Sequence, residues 1–498
     1  HGSVQPRFAF EVQLDQVAEK LGLDGIEIRR RNFQGSDTKT VNGQRITSNG
    51  FLACLDEVER ASGWKTRHGK LPFGRGRHWL NRGPASWLAA RPALCWSLYD
   101  WANSAFATTV MAGFFPTFFR QFWSSGAESS VTTFRLGMAN AVAGLAIAVL
   151  APFLGAVADR GGHRKRMLAA FSLLGIASTL ALYFVAQGQW LAAALLFTLG
   201  TLGFNGGVVF CDALLLDVAR PADYDRVSSQ GYALGYLGGG LLFAINVAMV
   251  SKPAWFGLAS VADAVRWSFV SVAAWWFVFM LPLLWFVAES TPQGRRGWRE
   301  SLAAGFGELA ATARKVWRQP LLLQFLLAYW LYIDGVNTVV KMAVDYGLAA
   351  GIASTHLLGA LLLTQFVAFP ASLAFGWLGG RIGARAAVLL GLAVYSLLTG
   401  WAYFLDTALE FYLMAAVLGL VQGGVQSLSR SMYGRLVPEG KSAEYFGFYN
   451  MVGKFGTVLG PALMGAVALM TGSTRVSILA LLMLFVGGGL ILWRVRVR

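Results

Sequence analysis

Twelve apolar stretches, each close to the length of a membrane span, constrain this chain more than any other feature of its sequence. A helix needs about 20 mainly apolar residues to cross the hydrocarbon of a bilayer. The stretches lie near residues 94–119, 135–158, 167–187, 190–215, 231–251, 267–288, 320–346, 355–379, 386–405, 408–430, 446–470 and 476–494. Because 55% of the 498 residues are hydrophobic and only 14% are charged, the composition excludes a soluble protein of this length. We therefore predict an all-α membrane protein with twelve transmembrane helices.

Lys and Arg residues are concentrated in alternate loops between the predicted spans, near residues 160–166, 220–226, 295–318, 381–385 and 430–441. The formal net charge of +16 therefore reflects membrane orientation under the positive-inside rule and does not indicate a nucleic-acid partner. We predict a multi-pass protein of the bacterial inner (cytoplasmic) membrane, embedded in the lipid bilayer with both termini cytoplasmic.

The longest loop between predicted spans, residues 289–319, divides the membrane region into two halves. The N-terminal half covers residues 93–288 and the C-terminal half covers residues 320–498. Sequence echoes between the halves keep the same order along the chain, as a parallel duplication would give. Parallel repeats of six helices, with a solute site between them, are a known transporter architecture. We therefore expect two parallel six-helix halves with a path between them.

The clearest echo is an Asp-x-x-Asn pattern inside the first and seventh predicted spans, at Asp100 with Asn103 and at Asp334 with Asn337. An Asp at the centre of a membrane helix costs roughly 2.5–3.5 kcal/mol on insertion scales, so such a residue usually faces a bundle interior or an aqueous path. Residues three apart share one face of a helix. The repeat predicts that the two pairs face one shared cavity.

We expect a substrate or proton path formed by polar residues within the spans: Tyr99, Asp100, Asn103, Asp212, Tyr332, Asp334, Asn337 and Lys341. Burial and neighbouring charge can bring a carboxylate close to its titration point at the working pH, as a proton-coupled carrier requires. A structural ion pair of Lys341 with Asp334 or Asp212, which would lock two helices together, is the alternative. For Lys454, a path residue and a side chain that extends to the membrane interface both stay open.

The loop after the second predicted span reads Gly155-x-x-x-Asp159-Arg160-x-Gly162-His163-Arg164-Lys165. It resembles the loop motif of the major facilitator superfamily, whose acidic and basic residues hold the cytoplasmic helix ends in one access state. The resemblance implies a conformational latch formed by Gly155, Asp159, Arg160, Gly162, Arg164 and Lys165. In the second half Gly380 stands where the acid would be, so we expect a weaker latch there. A basic loop that only sets membrane topology is the alternative.

Within that superfamily, several segments resemble the vacuole-effluxer-like family, whose fungal members are autophagy-related vacuolar amino-acid exporters. They lie at residues 99–106, 231–240, 332–335, 422–424, 429–431, 446–449 and 460–461. The resemblance implies a secondary carrier, not an enzyme, that exports a small-molecule solute such as amino acids by alternating access. The family tends to have Asn where this chain has Asp212, so the resemblance does not fix the substrate. Exchange against protons is our hypothesis for the driving force.

Residues 1–64 read as a soluble, α-rich segment and residues 65–92 as a basic flexible linker. The first segment resembles a small internal part of the molybdenum-binding subunit of the xanthine dehydrogenase and aldehyde oxidase family. Most of that subunit's cofactor cradle has no counterpart here, so we expect no molybdenum cofactor. We interpret the segment as non-functional, the result of a gene fusion or of a reading frame that runs across a junction. The chain begins with His1 rather than Met, which indicates a trimmed or mid-frame start.

Two further function classes stay open at this stage. A lipid or lysolipid flippase would use the same fold, and a membrane-tethered molybdenum hydroxylase component would bind molybdopterin. Neither a metal site nor another cofactor is expected, because Cys54, Cys95 and Cys211 are far apart and His163 and His356 are isolated. The sequence has no phosphate-binding loop of the kind that an ATP-driven pump uses.

Overall fold

The structure, a computed structural model, describes residues 13–18, 20–33, 50–62, 91–289, 314–438, 440–456 and 459–495, apart from a few side chains within the helices. The chain divides into two compact units, residues 1–86 and 87–498. The predicted linker at 65–92 lies almost wholly outside the described residues.

The first unit contains helices α1 (Gly25–Arg31) and α2 (Phe51–Ser62). Asp24 begins α1 by accepting a hydrogen bond from the backbone N–H of Ile26 at 2.6 Å, which is the usual role of Asp before a helix. Arg30 joins the two helices through ion pairs with Asp56 at 2.5 Å and Glu59 at 3.0 Å.

The second unit begins with one long helical stretch, which changes winding along its length. It runs as α3 (Pro92–Ala105), a π-helix (Phe106–Phe114), α4 (Phe115–Phe118) and a second π-helix (Phe119–Trp123). The remaining helices of the N-terminal half are α5 (Ser129–Gly161), α6 (Arg164–Ala181), α7 (Trp190–Val218), α8 (Tyr224–Ser251) and α9 (Val261–Phe286). Short 3-10 turns follow α6, α7 and α8 at Leu182–Phe184, Pro221–Asp223 and Pro253–Phe256.

The C-terminal half repeats this series of long helices. It comprises α10 (Pro320–Ala349), α11 (Ser354–Ile382), α12 (Ala384–Ala402), α13 (Ala408–Leu436), α14 (Ser442–Phe455), α15 (Leu459–Thr471), α16 (Thr474–Leu479) and α17 (Leu481–Arg494). The eleventh span is made of α14 and α15, and the twelfth of α16 and α17. Each of these two predicted spans therefore contains two helices.

Eleven candidate membrane spans, long and apolar enough to cross a bilayer, are found in the described part of the chain. The first predicted span is not among them. Its stretch from residue 92 to residue 123 is continuously helical, but π-helical segments interrupt the α-helix. The predicted all-α membrane fold is confirmed.

The two halves meet where glycines let helices approach closely. A Cβ on Gly155 of α5 would lie 2.2 Å from the carbonyl oxygen of Ala443 in α14. A Cβ on Gly376 of α11 would lie 2.6 Å from Cβ of Ser229 in α8. A larger residue at either position would collide with the other half, so the two glycines permit close contact between the halves near the ends with the basic loops.

Candidate functional site

A cavity of about 380 Å³ lies between the halves, with walls from both. Its lining runs from Asp100 and Arg430, on the side of the basic loops, to Leu405 in the turn between α12 and α13. The N-terminal half contributes small and polar residues such as Asn103, Ser104, Thr108 and Asn205. The C-terminal half contributes a mainly apolar wall that includes Met342, Leu361, Phe411, Met414 and Leu418. The cavity therefore has a charged floor and an apolar side.

The charged floor is an ion cluster that joins the two halves. Nη1 of Arg430 in α13 donates to Oδ1 of Asp212 in α7 at 3.0 Å. Nη1 and Nη2 of Arg430 both donate to Oδ2 of Asp100 in α3, each at 3.3 Å. Ser228 of α8 accepts from Nε at its hydroxyl and from Nη2 at its carbonyl oxygen, both at 2.9 Å. One guanidinium of the C-terminal half is thus held by three residues of the N-terminal half.

Aromatic rings flank this guanidinium. Its Cζ lies 4.7 Å from the ring centroid of Trp96 and 4.4 Å from that of Tyr232. A cation over an aromatic face is stabilised by the ring quadrupole, more strongly where water is excluded. The side chain of Arg430 is only 2% exposed. The two acids and the two rings therefore hold the buried guanidinium of Arg430 in one orientation.

The position of Arg430 corrects the sequence analysis, which assigned it to a loop as a topology-setting cation. Helix α13 continues to Leu436, so Arg430 lies inside a helix. Two acids within membrane spans, Asp100 and Asp212, were a signal that a buried cation was needed. The ion pair forms between residues of different halves, and the spacing of residues within one span does not reveal such a partner.

Asp212 and Lys454 complete the floor. Oδ2 of Asp212 accepts a hydrogen bond from Nδ2 of Asn450 in α14 at 3.1 Å. Lys454, one turn further along α14, lines the cavity and lies within electrostatic range of Asp212. Asp100, Asp212, Arg430 and Lys454 together carry no net charge when all four are ionised. The side chain of Lys341 lies outside the described residues, so its predicted pairing is not tested.

Asp334, predicted to share the cavity with Asp100, lies elsewhere. It is fully buried, and its carboxylate accepts hydrogen bonds from the backbone N–H groups of Leu459 and Gly460, both at 2.9 Å. Those donors open α15, where the eleventh span resumes. The hydroxyl of Thr338 donates to Oδ1 at 3.2 Å. Neither Asp334 nor Asn337 is among the described residues of the cavity wall, which corrects the expectation of one cavity for both pairs.

Among the remaining predicted path residues, one lines the cavity and the others form contacts away from it. Asn103 lines the cavity. Asn337 donates from Nδ2 to the carbonyl oxygen of Gly456 at 3.3 Å, next to the break in the eleventh span. The hydroxyls of Tyr99 and Tyr332 are buried and form hydrogen bonds to the Oγ atoms of Ser172 and Ser429, at 2.8 and 2.7 Å. Each of these two bonds joins helices within one half.

The end of α5 and the start of α6 form a second link between the halves, closer to the basic loops than the cavity is. Asp159 accepts hydrogen bonds from the backbone N–H groups of Ala443 at 3.0 Å and Glu444 at 2.8 Å, at the start of α14. A carboxylate at a helix N-terminus is favoured by the helix dipole and by the free N–H groups. Arg164 lies 3.4 Å from Asp159 and donates to Ser442 at 2.8 Å.

Other residues of the predicted latch hold this loop to its own half. Gly162 ends α5 in the left-handed conformation, with φ of 62°. Arg164 donates to Asp217 at 2.7 Å. Nζ of Lys165 donates to the carbonyl oxygen of Val287 at 2.7 Å, and Glu289 accepts from the backbone N–H of Arg164 at 2.5 Å. The side chain of Arg160 lies outside the described residues.

The corresponding loop after α11 makes different contacts. A Cβ on Gly380 would meet no atom within 4 Å. At the start of α8, the carboxylate of Asp225 instead accepts from Nη1 and Nη2 of Arg435 in α13, both at 2.9 Å, and from the hydroxyl of Ser431. Arg385 donates to the carbonyl oxygens of Trp493 and Val495. An acid of the N-terminal half, Asp225, thus forms a third link between the halves.

Comparison with known proteins gives the family. The family profile described as "Vacuole effluxer Atg22 like" matches residues 125–498. The uncharacterized MFS-type transporter YxiO of Bacillus subtilis (strain 168) is 37% identical over 402 residues, which cover 80% of this chain and 93% of YxiO. Autophagy-related protein 22 of Coccidioides immitis (strain RS) is 24% identical over 409 residues, covering 66% of each chain.

Solved structures show the fold. The proton:xylose symporter XylE of the major facilitator superfamily aligns with a TM-score of 0.63 and 13% identity, over 82% of this chain and 95% of that chain. The human organic anion transporter MFSD10 aligns with a TM-score of 0.60 and 17% identity, over 82% of this chain and 100% of that chain. With these folds and relatives, the chain belongs to the Atg22-like vacuole effluxer family and is a membrane transporter with the major facilitator fold.

Proposed function

We propose that this transporter is a secondary carrier that exports small solutes, amino acids among them, by alternating access between its two halves. The observation that carries the proposal is the cavity between the halves, with a charged floor formed by residues of both. Below that floor, Asp159 and Arg164 join the halves at the end with the basic loops. A solute can therefore bind between two halves whose contacts at one end are able to break and reform.

The chemistry of the cavity supports a zwitterionic solute with an apolar body. The carboxylate of Asp100 matches an ammonium group, and the ammonium of Lys454 matches a carboxylate. The apolar wall of the C-terminal half matches a hydrocarbon side chain. Because the floor carries no net charge, a zwitterion adds none to the buried site, whereas a simple ion would leave one charge uncompensated.

Proton exchange is the driving force that we propose, with the bacterial inner membrane as the site of action and both termini cytoplasmic. Asp100 is a buried acid that faces the cavity, so it could exchange a proton with a bound solute. The basic loops set the orientation. Export follows if protons enter from outside as the solute leaves.

The test is transport by the purified full chain in liposomes, with a panel of amino acids, organic anions and headgroup-labelled lipids. We expect apolar amino acids to accumulate only when a pH gradient is imposed, and protonophore to abolish the accumulation. Lipid movement without amino-acid transport would contradict the proposal and would favour a flippase. Protein-free liposomes serve as the control.

For residues 1–64 we propose a fused segment without a role in transport. Two observations support this proposal. The resemblance of residues 1–64 to a molybdenum hydroxylase subunit is limited, and the family match, at residues 125–498, does not include them. Metal analysis of the purified full chain should find no molybdenum. Stoichiometric molybdenum would contradict the proposal.

A further inference from the structure

The ninth span, α12, contributes a tyrosine to the wall of the cavity. Tyr395 lines the cavity, although α12 makes most of its contacts with helices of its own half. The side chain is fully buried, and among the residues that the structure describes its hydroxyl has no hydrogen-bond partner. Such a group is uncommon, because burying a donor without an acceptor is costly. The hydroxyl of Tyr395 is therefore a donor available to an acceptor on a bound molecule.

Aromatic packing fixes the ring of Tyr395. It stacks on Phe485 of α17, with the ring centroids 5.2 Å apart and an interplanar angle of 28°. A Cβ on Gly335 of α10 would lie 2.7 Å from Cε1 of Phe485, so the missing side chain there leaves space for the stack. Three helices of the C-terminal half thus hold the phenol in place.

Uncharged polar groups from both halves lie near this phenol. Tyr236 of α8, in the N-terminal half, lines the cavity and interacts electrostatically with Tyr395. The hydroxyl of Tyr236 lies beside the side-chain amide of Gln422 in α13, which is also part of the cavity wall. A Cβ on Gly423 would lie 2.7 Å from Cε2 of Tyr236, so this ring packs directly on the backbone of α13. We call Tyr236, Tyr395 and Gln422 the central polar site.

The central polar site lies further from the basic loops than the charged floor does. Tyr236 follows Tyr232, which flanks Arg430, by four residues on α8, or about 6 Å along the helix. Gln422 precedes Arg430 by eight residues on α13, or about 12 Å along the helix. The charged residues of the described cavity wall are all at the floor: Asp100, Arg430 and Lys454. A solute with its charged groups at the floor therefore extends its side chain towards an uncharged site.

We propose, on the basis of the proposed function, that the central polar site selects solutes whose side chain ends in an uncharged carboxamide, as in glutamine. The carbonyl oxygen of the carboxamide accepts a hydrogen bond from the hydroxyl of Tyr395, and its NH₂ group donates to the amide oxygen of Gln422. Apolar amino acids still bind at the floor, but they leave the hydroxyl of Tyr395 unpaired. A side-chain carboxylate is disfavoured, because it would be buried here without a counter-charge.

The experiment measures binding to the purified full chain in detergent and needs no transport. It compares L-glutamine with two amino acids of nearly the same size, the apolar L-2-amino-5-methylhexanoate and the acidic L-glutamate. Affinities are obtained from the rise in Tm with ligand concentration. We expect glutamine to bind at least about tenfold more tightly than either of the other two, because a site that hydrogen-bonds a polar group rejects an analogue that lacks it. Equal or weaker binding of glutamine, or no binding of it, would overturn the proposal.

Two substitutions that each remove one buried phenol hydroxyl locate the preference. Tyr395→Phe should keep the Tm of the free protein, because the lost hydroxyl has no partner among the described residues, and should abolish the preference for glutamine. Tyr433→Phe is the matched control. It removes a hydroxyl that donates to the carbonyl oxygen of Tyr445 at 2.7 Å, outside the described cavity wall. This control should lower Tm and keep the preference.

A third substitution tests the other hydrogen bond of the carboxamide. Gln422→Leu removes the acceptor for the NH₂ group and should also reduce the preference for glutamine several-fold. A full preference in Tyr395→Phe and in Gln422→Leu would overturn the proposal. Loss of the preference in Tyr433→Phe to the same extent would also overturn it, since the effect would then not belong to the central polar site.

The outcomes for this inference and for the proposed function are separate. Binding of glutamine with a preference that depends on Tyr395, but no transport of any amino acid in liposomes, would support this inference and contradict the proposed function. Transport of amino acids without any preference for glutamine over its apolar counterpart, in binding or in rate, would support the proposed function and overturn this inference.

Discussion

The first and seventh spans have the same Asp-x-x-Asn spacing, yet their acids have different kinds of partner. Asp100 contacts a charged side chain, Arg430, that belongs to the other half. Asp334 contacts backbone N–H groups at the start of α15, within its own half. A side-chain partner can leave and return as the halves move, whereas a backbone partner at a helix start is part of the fold. The two halves therefore share the residue pattern but give its acids different partners.

The ends of α5 and α11 also differ in the contacts that they make with the other half. Asp159 binds the start of α14 across the boundary between the halves, while Gly380, its counterpart, has no side chain to do so. On that side, the ion pair of Asp225 with Arg435 joins the halves instead. Pseudo-symmetric positions are thus linked by different residues, and each difference can be tested by exchanging or removing one side chain.

The largest effect is expected from removing the shared cation. Arg430→Met leaves Asp100 and Asp212 buried without their cation, and removing one partner of a buried ion pair typically costs about 3–5 kcal/mol. Arg435→Met is the matched control, since its side chain is 19% exposed and pairs with one acid, Asp225, which keeps the hydroxyl of Ser431 as a partner. Thermal unfolding in detergent should show a much lower Tm for Arg430→Met. Equal losses for the two variants would contradict the central position of Arg430.

The second effect separates the two acids by stability. Asp334→Ala leaves two backbone donors, the partly buried N–H of Leu459 and the buried N–H of Gly460, without their acceptor, at up to about 1–3 kcal/mol each. Asp100→Ala should cost less, because Arg430 keeps Asp212 and Ser228. The same unfolding assay should therefore rank Asp334→Ala below Asp100→Ala in Tm. The reverse order would mean that Asp100, and not Asp334, is the structural acid.

The third effect concerns the latch after α5. Asp159→Ala removes the acceptor for two N–H groups of α14, and loss of such a helix-start contact costs about 0.5–2 kcal/mol. This cost applies to the state in which the cytoplasmic ends are closed, so the open population should rise. Solvent accessibility of a cysteine placed at Ser442, measured by maleimide labelling, should increase. Unchanged labelling would show that Asp159 does not hold the halves together.

The smallest effect is expected from the reciprocal change, Gly380→Asp. The added side chain meets open space, and Asp225 already occupies the start of α8 with Arg435 as its partner. Substitutions at such positions usually change stability by less than about 0.5 kcal/mol. We expect Tm and transport to stay close to those of the parent. A marked rise in Tm would show that a second acidic latch can form, and that the missing side chain of Gly380 weakens this link in the parent protein.

Much of the fold can be predicted from the sequence, because membrane spans are recognised by their local apolar composition. The apolar stretches, the basic loops and the repeat predict the helices and the division into halves. The points at which the α-helices are interrupted cannot be predicted in the same way. Neither the π-helical turns after Ala105 nor the contact of Asp334 with the backbone N–H of Leu459 is visible in the local composition.

The candidate site is predictable only in part, for the same physical reason. The cost of burying an acid identifies Asp100 and Asp212 without any structure. Which acid meets a cation and which meets backbone depends on contacts between residues far apart in sequence, as between Asp100 and Arg430. Arg430 lies near the end of an apolar stretch, where a basic residue ordinarily marks a loop.

The most direct test of the central claim, that Asp100 and not Asp334 exchanges its partner, is proton-driven transport by Asp100→Asn and Asp334→Asn in liposomes. Both substitutions remove one buried acid and keep the shape of the side chain. We expect Asp100→Asn to lose accumulation driven by the pH gradient, and Asp334→Asn to keep the pH dependence of the parent at a rate scaled by the amount of folded protein. Parental, pH-dependent accumulation by Asp100→Asn would contradict the account.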